Sequence, residues 1–521
     1  MARETHQKPW PPRKGYIMKS IVRFCIAVGI CLSGWALAPF VDLPRVAFGW
    51  EQYADAYSLI NRSVIPAAAV ATGAEGAFFQ TDVDINNLDS GGEASYELWW
   101  LPRGQDNFSP RRSQIFTIAG GHGVRIENVL TEVFGLQPDR VGSVVIASDS
   151  DRVIAMSRTY NVSDNKATGT FGQALPAVPA DKLIQSGQSR RIIFFSEDPS
   201  TRANLGCVNG TDSNIEILAH LYDSGGAFLG TRTMDLGPWG NDQMNRIFRG
   251  FEPVNGYLEV RSDTPGGSFY CYGSVLDNAT SDPTTILPQS PSSGTTYYIP
   301  AAALASGSSG AFFQTDVDVN NAGPASSFVF KWLPRDRDNS DPMQSVSLSL
   351  GSGMSTRFEN ILSQVFFLSP DAVGALAIES PSDNLLAMSR TYNVSGSGGA
   401  GTFGQALSGV QEGDMIRAGE RRRIIFLSEN GEFRSNVGCV NGTDDDIDID
   451  IDVYDDAGNL RNRLEMELDP WSNDQFNRIL QPFAPTNGYV DVSSDTTGAR
   501  FFCYGSLLDN ETSDPTSVFS Q

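Results

Sequence analysis

Apolar and polar residues alternate with period two along most of the chain. The sharpest case is Ile447-Asp-Ile-Asp-Ile-Asp-Val453, which gives one apolar and one acidic face. Tyr96, Leu98 and Trp100 alternate with Glu97 and Trp99; Phe328, Phe330 and Trp332 alternate with Val329 and Lys331. Turn formers follow such runs, as in Asp223-Ser-Gly-Gly226 and Asp455-Asp-Ala-Gly458. Many short half-buried strands joined by tight turns predict an all-β protein built of antiparallel sandwiches. Four segments break the pattern: 125–130, 243–248, 357–362 and 475–480. Each sets an Asn shortly before an apolar pair, which predicts a short helical turn or bend bridging two sheets.

The alternation is duplicated. Cys207 and Cys271 recur 232 residues later as Cys439 and Cys503, Trp100 recurs as Trp332, and SRTYN at 157–161 recurs at 389–393. Each copy divides again. The run Gln80–Asn87 matches Arg202–Asn209, and Val153–Asn161 matches Tyr270–Asn278 without a gap, which sets Ile154 against Cys271 and Leu386 against Cys503. The fold expected is therefore a tandem array of four antiparallel β-sandwich modules in two duplicated pairs, over 64–161, 190–283, 297–393 and 422–516. A flexible linker is expected over 284–296. GTFGQAL occurs in both intervening stretches (169–175 and 401–407), which predicts packing against a neighbouring module. One disulfide is expected within each copy, Cys207 with Cys271 and Cys439 with Cys503, clamping two opposed sheets where the other modules use aliphatic contact.

Composition narrows the setting. Glycine is frequent and charged residues make up only 19%. The formal charge of −23 disfavours nucleic acid and anionic lipid as partners. Basic residues precede an apolar run, Phe24–Val41, the layout of a secretory leader over 1–49, with no membrane association expected beyond it. A secreted, periplasmic or cell-surface location follows, where cysteine pairing is the default. Metal ligation by these cysteines is disfavoured by the lack of any C-x-x-C and by only three histidines.

The TDV…NN strands, the SRTYN–GTFGQ joint and the closing LDNxTSDP tails resemble immunoglobulin-like sandwich repeats of exported bacterial proteins. The resemblance is architectural and implies no activity. It lacks the core Trp that follows the first cysteine in antibody-type domains: Trp239 and Trp471 lie 32 residues on.

Candidate sites are few. Asp82, Asp84, Asp316 and Asp318 should face away from the core, either as Ca²⁺ ligands or as a solvated edge. Trp99, opposite core-facing Trp100, is the aromatic expected to be exposed and able to bind a ligand. Asp277, Asp282, Asp509 and Asp514 sit in the tails, suited to turn capping or to an inter-module cation. Arg158 and Arg390 are expected to pair with local acids. No G-x-S-x-G, H-E-x-x-H or Walker loop occurs. The expectation is a non-enzymatic array for binding, adhesion or surface scaffolding, with an extracellular protein or glycan as partner and no cofactor beyond Ca²⁺. The alternatives are a carbohydrate-binding or carbohydrate-active protein and a calcium-stiffened stalk.

Overall fold

The computed structural model describes residues 59–521 apart from 74–75, 163–168, 254, 292–293, 308–309, 395–401 and 484–486; the expected leader lies outside them. The fold is nearly all β, with six antiparallel sheets that make four sandwich modules in two duplicated pairs. In the first module, ten strands form one continuous sheet that folds over on itself. The strand Asn61–Thr72 turns the corner. It pairs with Arg140–Ser148 along most of its length, while Val70–Thr72 pair with Phe78–Gln80. Its register shifts between Ile65 and Ala68, around Pro66, which has no N–H to give a ladder. Thr296–Ser306 repeats the device around Pro300. In the second and fourth modules, a five-stranded sheet instead faces a separate four-stranded sheet.

Both disulfides are present, but their geometry corrects the expected clamp. Cys207 and Cys271 are direct partners on neighbouring strands of one sheet, Thr201–Asn209 and Ser268–Asp277, with Cα atoms 4.1 Å apart. Cys439 and Cys503 repeat this. The equivalent pairs in the other modules are Ile85 with Ala155 and Val319 with Ala387, one residue away from the sequence match to Ile154 and Leu386. A one-residue slip changes face. Ile154 packs into the core of the fourth module and Leu386 into that of the second.

An asparagine closes the equivalent strand in every module. Asn87, Asn209, Asn321 and Asn441 are fully buried. Each side-chain amide donates to carbonyls of two separate loops, as Asn441 does to Asp445 and Asp469, both at 2.8 Å. The segments 125–130 and 357–362 run into single helical turns, Val129–Glu132 and Ile361–Gln364; 243–248 and 475–480 begin in strands, Asn241–Met244 and Asn473–Phe476, and end in turns without an α-helix.

The modules close a ring. Trp99 and Trp239 join the first to the second, and Tyr298 and Trp471 join the third to the fourth. The second packs on the third and the fourth on the first through equivalent wedges. Arg125 donates to Asp84 Oδ2 (2.7 and 2.9 Å) and to Ser428 Oγ (3.1 Å), and its guanidinium lies 3.7 Å from the Phe426 ring centre. Arg357 engages Asp318, Ser196 and the Phe194 ring in the same way. Phe194 and Phe426 reach these positions with left-handed backbones (φ 73° and 67°), a cost that the ring–guanidinium contact offsets. This geometry is that of a two-fold dimer with fused subunits. At the start of the segment expected as a flexible linker, Pro283–Ile286 is a strand paired with Ser268–Asp277, and Arg191 bridges Gln289.

The two halves meet where the GTFGQAL segments cross the SDP tails, as the repeated wording predicts. Phe171 packs on Phe403, one from each copy. Asp282 accepts from Gly404 N (3.0 Å) and Asp514 from Gly172 N (3.1 Å). Asp277 and Asp509 cap their own tails and also accept from Thr402 and Thr170. Arg158 donates to Thr516 and Thr170 rather than to an acid, while Arg390 lies 3.7 Å from Asp282. Burial pushes the Asp282 carboxyl up to about 8, against the pull of Arg390, and pushes Asp514 up as well, aided by the Asp282 charge. The folded state thus holds protons that the unfolded chain, with Asp near 4, has released. Stability should fall as pH rises from about 4 to about 8. Thermal melts should show this fall, reduced in Asp282→Asn; an unchanged slope would rule out Asp282 as its source.

Candidate functional site

The residues singled out by sequence do not converge on one site. Trp99 is buried, not exposed. Its ring meets Trp239 edge-on at 5.7 Å, its Nε1 donates to Glu97 (2.7 Å), and Arg62 and Arg112 lie over it. It is the core of the first–second module joint, because the face opposite Trp100 is covered by a neighbouring module. Trp99→Ala should cost about 3 kcal/mol, read as a lower urea midpoint.

The four aspartates do face away from their own cores, yet that face is not solvent. Asp82 and Asp316 accept from the backbone N–H groups of Asn128 and Asn360, which hold left-handed conformations (φ 42° and 43°), and from Tyr160 and Tyr392. Asn204 and Asn436 do the same for Arg246 and Arg478 in the other modules. Asp84 and Asp318 anchor the wedge arginines. Burial raises all four carboxyls despite these partners. The strip Ile447–Val453 alternates as expected up to Asp450; Asp452, by contrast, is buried and paired with Arg421 and Arg463.

The feature with binding geometry is one that these motifs missed. A cleft of about 810 Å³ opens between the third and fourth modules. Its lining includes the apolar Ala301–Ala303 and Phe313 and the cationic Arg335, Arg434 and Arg478. No carboxylate occurs among the described residues that line it, although the chain has 61 acidic and 38 basic residues. The arginines come from separate elements. Arg335 follows the strand Ser326–Pro334, Arg434 lies in Phe433–Asn441, and Arg478 occupies the left-handed turn (φ 51°) pinned by Asn436.

Hydrogen bonds order the walls. Tyr504 Oη donates to Gln475 Oε1 (3.2 Å), Gln475 to Asn477 (2.7 Å), and Arg434 to Asn510 (2.8 Å). Arg478 Nε donates to Glu429 (2.9 Å). Arg335 Nε is buried with no hydrogen-bond partner among the described residues. Burial lowers Arg434, and the like charge of Arg478 adds to this.

The same set stands in the first half at the 232-residue offset: Arg103, Arg202, Arg246, Gln243, Asn245, Tyr272 and Asn278. The contacts recur too, except that Arg103 Nη2 also donates to Gln243 Oε1 (3.3 Å). Tyr272 donates to Gln243 (3.4 Å), Gln243 to Asn245 (2.6 Å), Arg202 to Asn278 (2.8 Å) and Arg246 to Glu197 (3.1 Å). The acidic runs differ between the copies while this constellation does not, a signal already present in the sequence.

No protein-family model matches the chain, and no curated protein matches it in sequence. Among solved structures, it has a weak likeness to an α-L-rhamnosidase of Streptomyces avermitilis complexed with L-rhamnose: 9% identity and a TM-score of 0.11, covering 85% of this chain and 57% of that one. Among the described residues, no helix is long and apolar enough to cross a membrane.

Proposed function

We propose that the protein is an exported, non-enzymatic scaffold that binds an extracellular ligand in two equivalent clefts, one in each half of a closed four-module ring. The observation that carries this is the cleft constellation, identical in residue type in both copies and alike in its hydrogen bonds. The two disulfides fit an oxidising, extracellular setting. Arg434 sits in a strand, Arg335 directly follows one, and Asn436 pins the turn of Arg478, which suits recognition with little ordering cost.

The test is capture from an array of extracellular glycans and proteins, alongside a broad hydrolase panel. Binding that is lost in the Arg103→Ala, Arg335→Ala double variant supports the reading. Capture indifferent to those substitutions contradicts it, as does substrate turnover.

A further inference from the structure

The cleft has a chemistry of its own within an acidic protein. Three arginines line it with no carboxylate on the described lining, and of the three only Arg478 forms an ion pair among the described residues, with Glu429. Arg335 lines the cleft, and its buried Nε has no hydrogen-bond partner among the described residues. A planar fork of N–H donors matches a carboxylate in two-point contact. Beside the arginines stand groups that exchange hydrogen bonds with hydroxyls: Gln475, Asn477, Asn510 and Tyr504. Ala301–Ala303 and Phe313 add apolar lining suited to the C–H face of a sugar ring. The volume lies in the range of small-ligand sites. Nucleic acid offers anionic groups too, but the chain's charge of −23 repels a long polyanion of that density.

Resting on the cleft-binding reading, we propose that each cleft takes an anionic saccharide, with the arginines on its carboxylate and the amides and Tyr504 on its hydroxyls. The duplicated constellation supplies two sites per chain. A polymer carrying acidic sugars at intervals that match the span between the sites would gain avidity without further contacts.

Calorimetry of the full chain with tetragalacturonate, cellotetraose and a sulfated galactan tetrasaccharide tests this. The expected result is two equivalents of tetragalacturonate and affinity that weakens with added NaCl. Arg335→Ala should leave one site, and Arg103→Ala with Arg335→Ala should weaken the remainder about tenfold or more. Arg335→Lys, which keeps the charge but not the fork, should bind between wild type and Arg335→Ala. Thermal melts of each variant separate lost binding from lost folding. Binding of the sulfated sugar alone would assign the anion to sulfate and overturn the carboxylate assignment. Equal binding of cellotetraose, abolished by the same substitutions, would overturn the anionic class and leave the cleft reading standing. Failure of every saccharide while array capture still depends on Arg103 and Arg335 would overturn the saccharide class alone.

Discussion

Arg125→Ala is expected to lower stability by about 3–5 kcal/mol, seen as a large drop in urea midpoint. The guanidinium and its partner Asp84 are almost fully withdrawn from water. Removing the cation leaves Asp84 buried with, among the described residues, Asn86 Nδ2 as its remaining side-chain donor (2.6 Å). It also uncovers the Phe426 ring and removes one partner of Ser428 Oγ, which keeps its bond to Asn487 (2.9 Å). Arg125→Lys should fall between the two, since an ammonium carries charge but cannot donate to Asp84 and Ser428 from one plane. Arg357→Ala should cost a similar amount at the second–third joint. There Asp318 keeps Ser355 as a donor (2.8 Å) and Arg357 loses a further contact to Asn255 (3.0 Å). An Arg125→Ala loss below about 1 kcal/mol would mean that the wedge is a surface pair.

Opening either disulfide is expected to cost about 4 kcal/mol, since each closes a loop with a sequence separation of 64. The first and third modules show how the site is filled without sulfur, by Ile85 with Ala155 and by Val319 with Ala387. Cys439→Ile with Cys503→Ala should therefore restore the packing but not the cross-link. It should melt above Cys439→Ala with Cys503→Ala and below the oxidised wild type. A swap as stable as the oxidised wild type would show that packing, not chain closure, accounts for the bond's effect.

The strand periodicity, the duplication and the within-copy cysteine pairing were legible because each is a local or self-similar property. The face of a strand was not. Val153-Ile-Ala-Met156 is apolar on both sides because its own core lies on one and another module's core on the other, so no alternation fixes the register. Trp99 and the four aspartates were misread for the same reason: a polar or aromatic outward face looks solvated until the ring closes over it. Ring closure itself joins residues about 300 apart and leaves no periodic trace. The cleft arginines were visible as repeated residues, but only the fold brings 335, 434 and 478 together.

Closure of the ring by the first and fourth modules is tested most directly by a double-mutant cycle between Arg125 and Phe426, using Arg125→Ala and Phe426→Leu. The contact predicts a coupling of about 1 kcal/mol or more between residues 301 positions apart. Strictly additive effects would place the two modules out of contact in solution and contradict the closed ring.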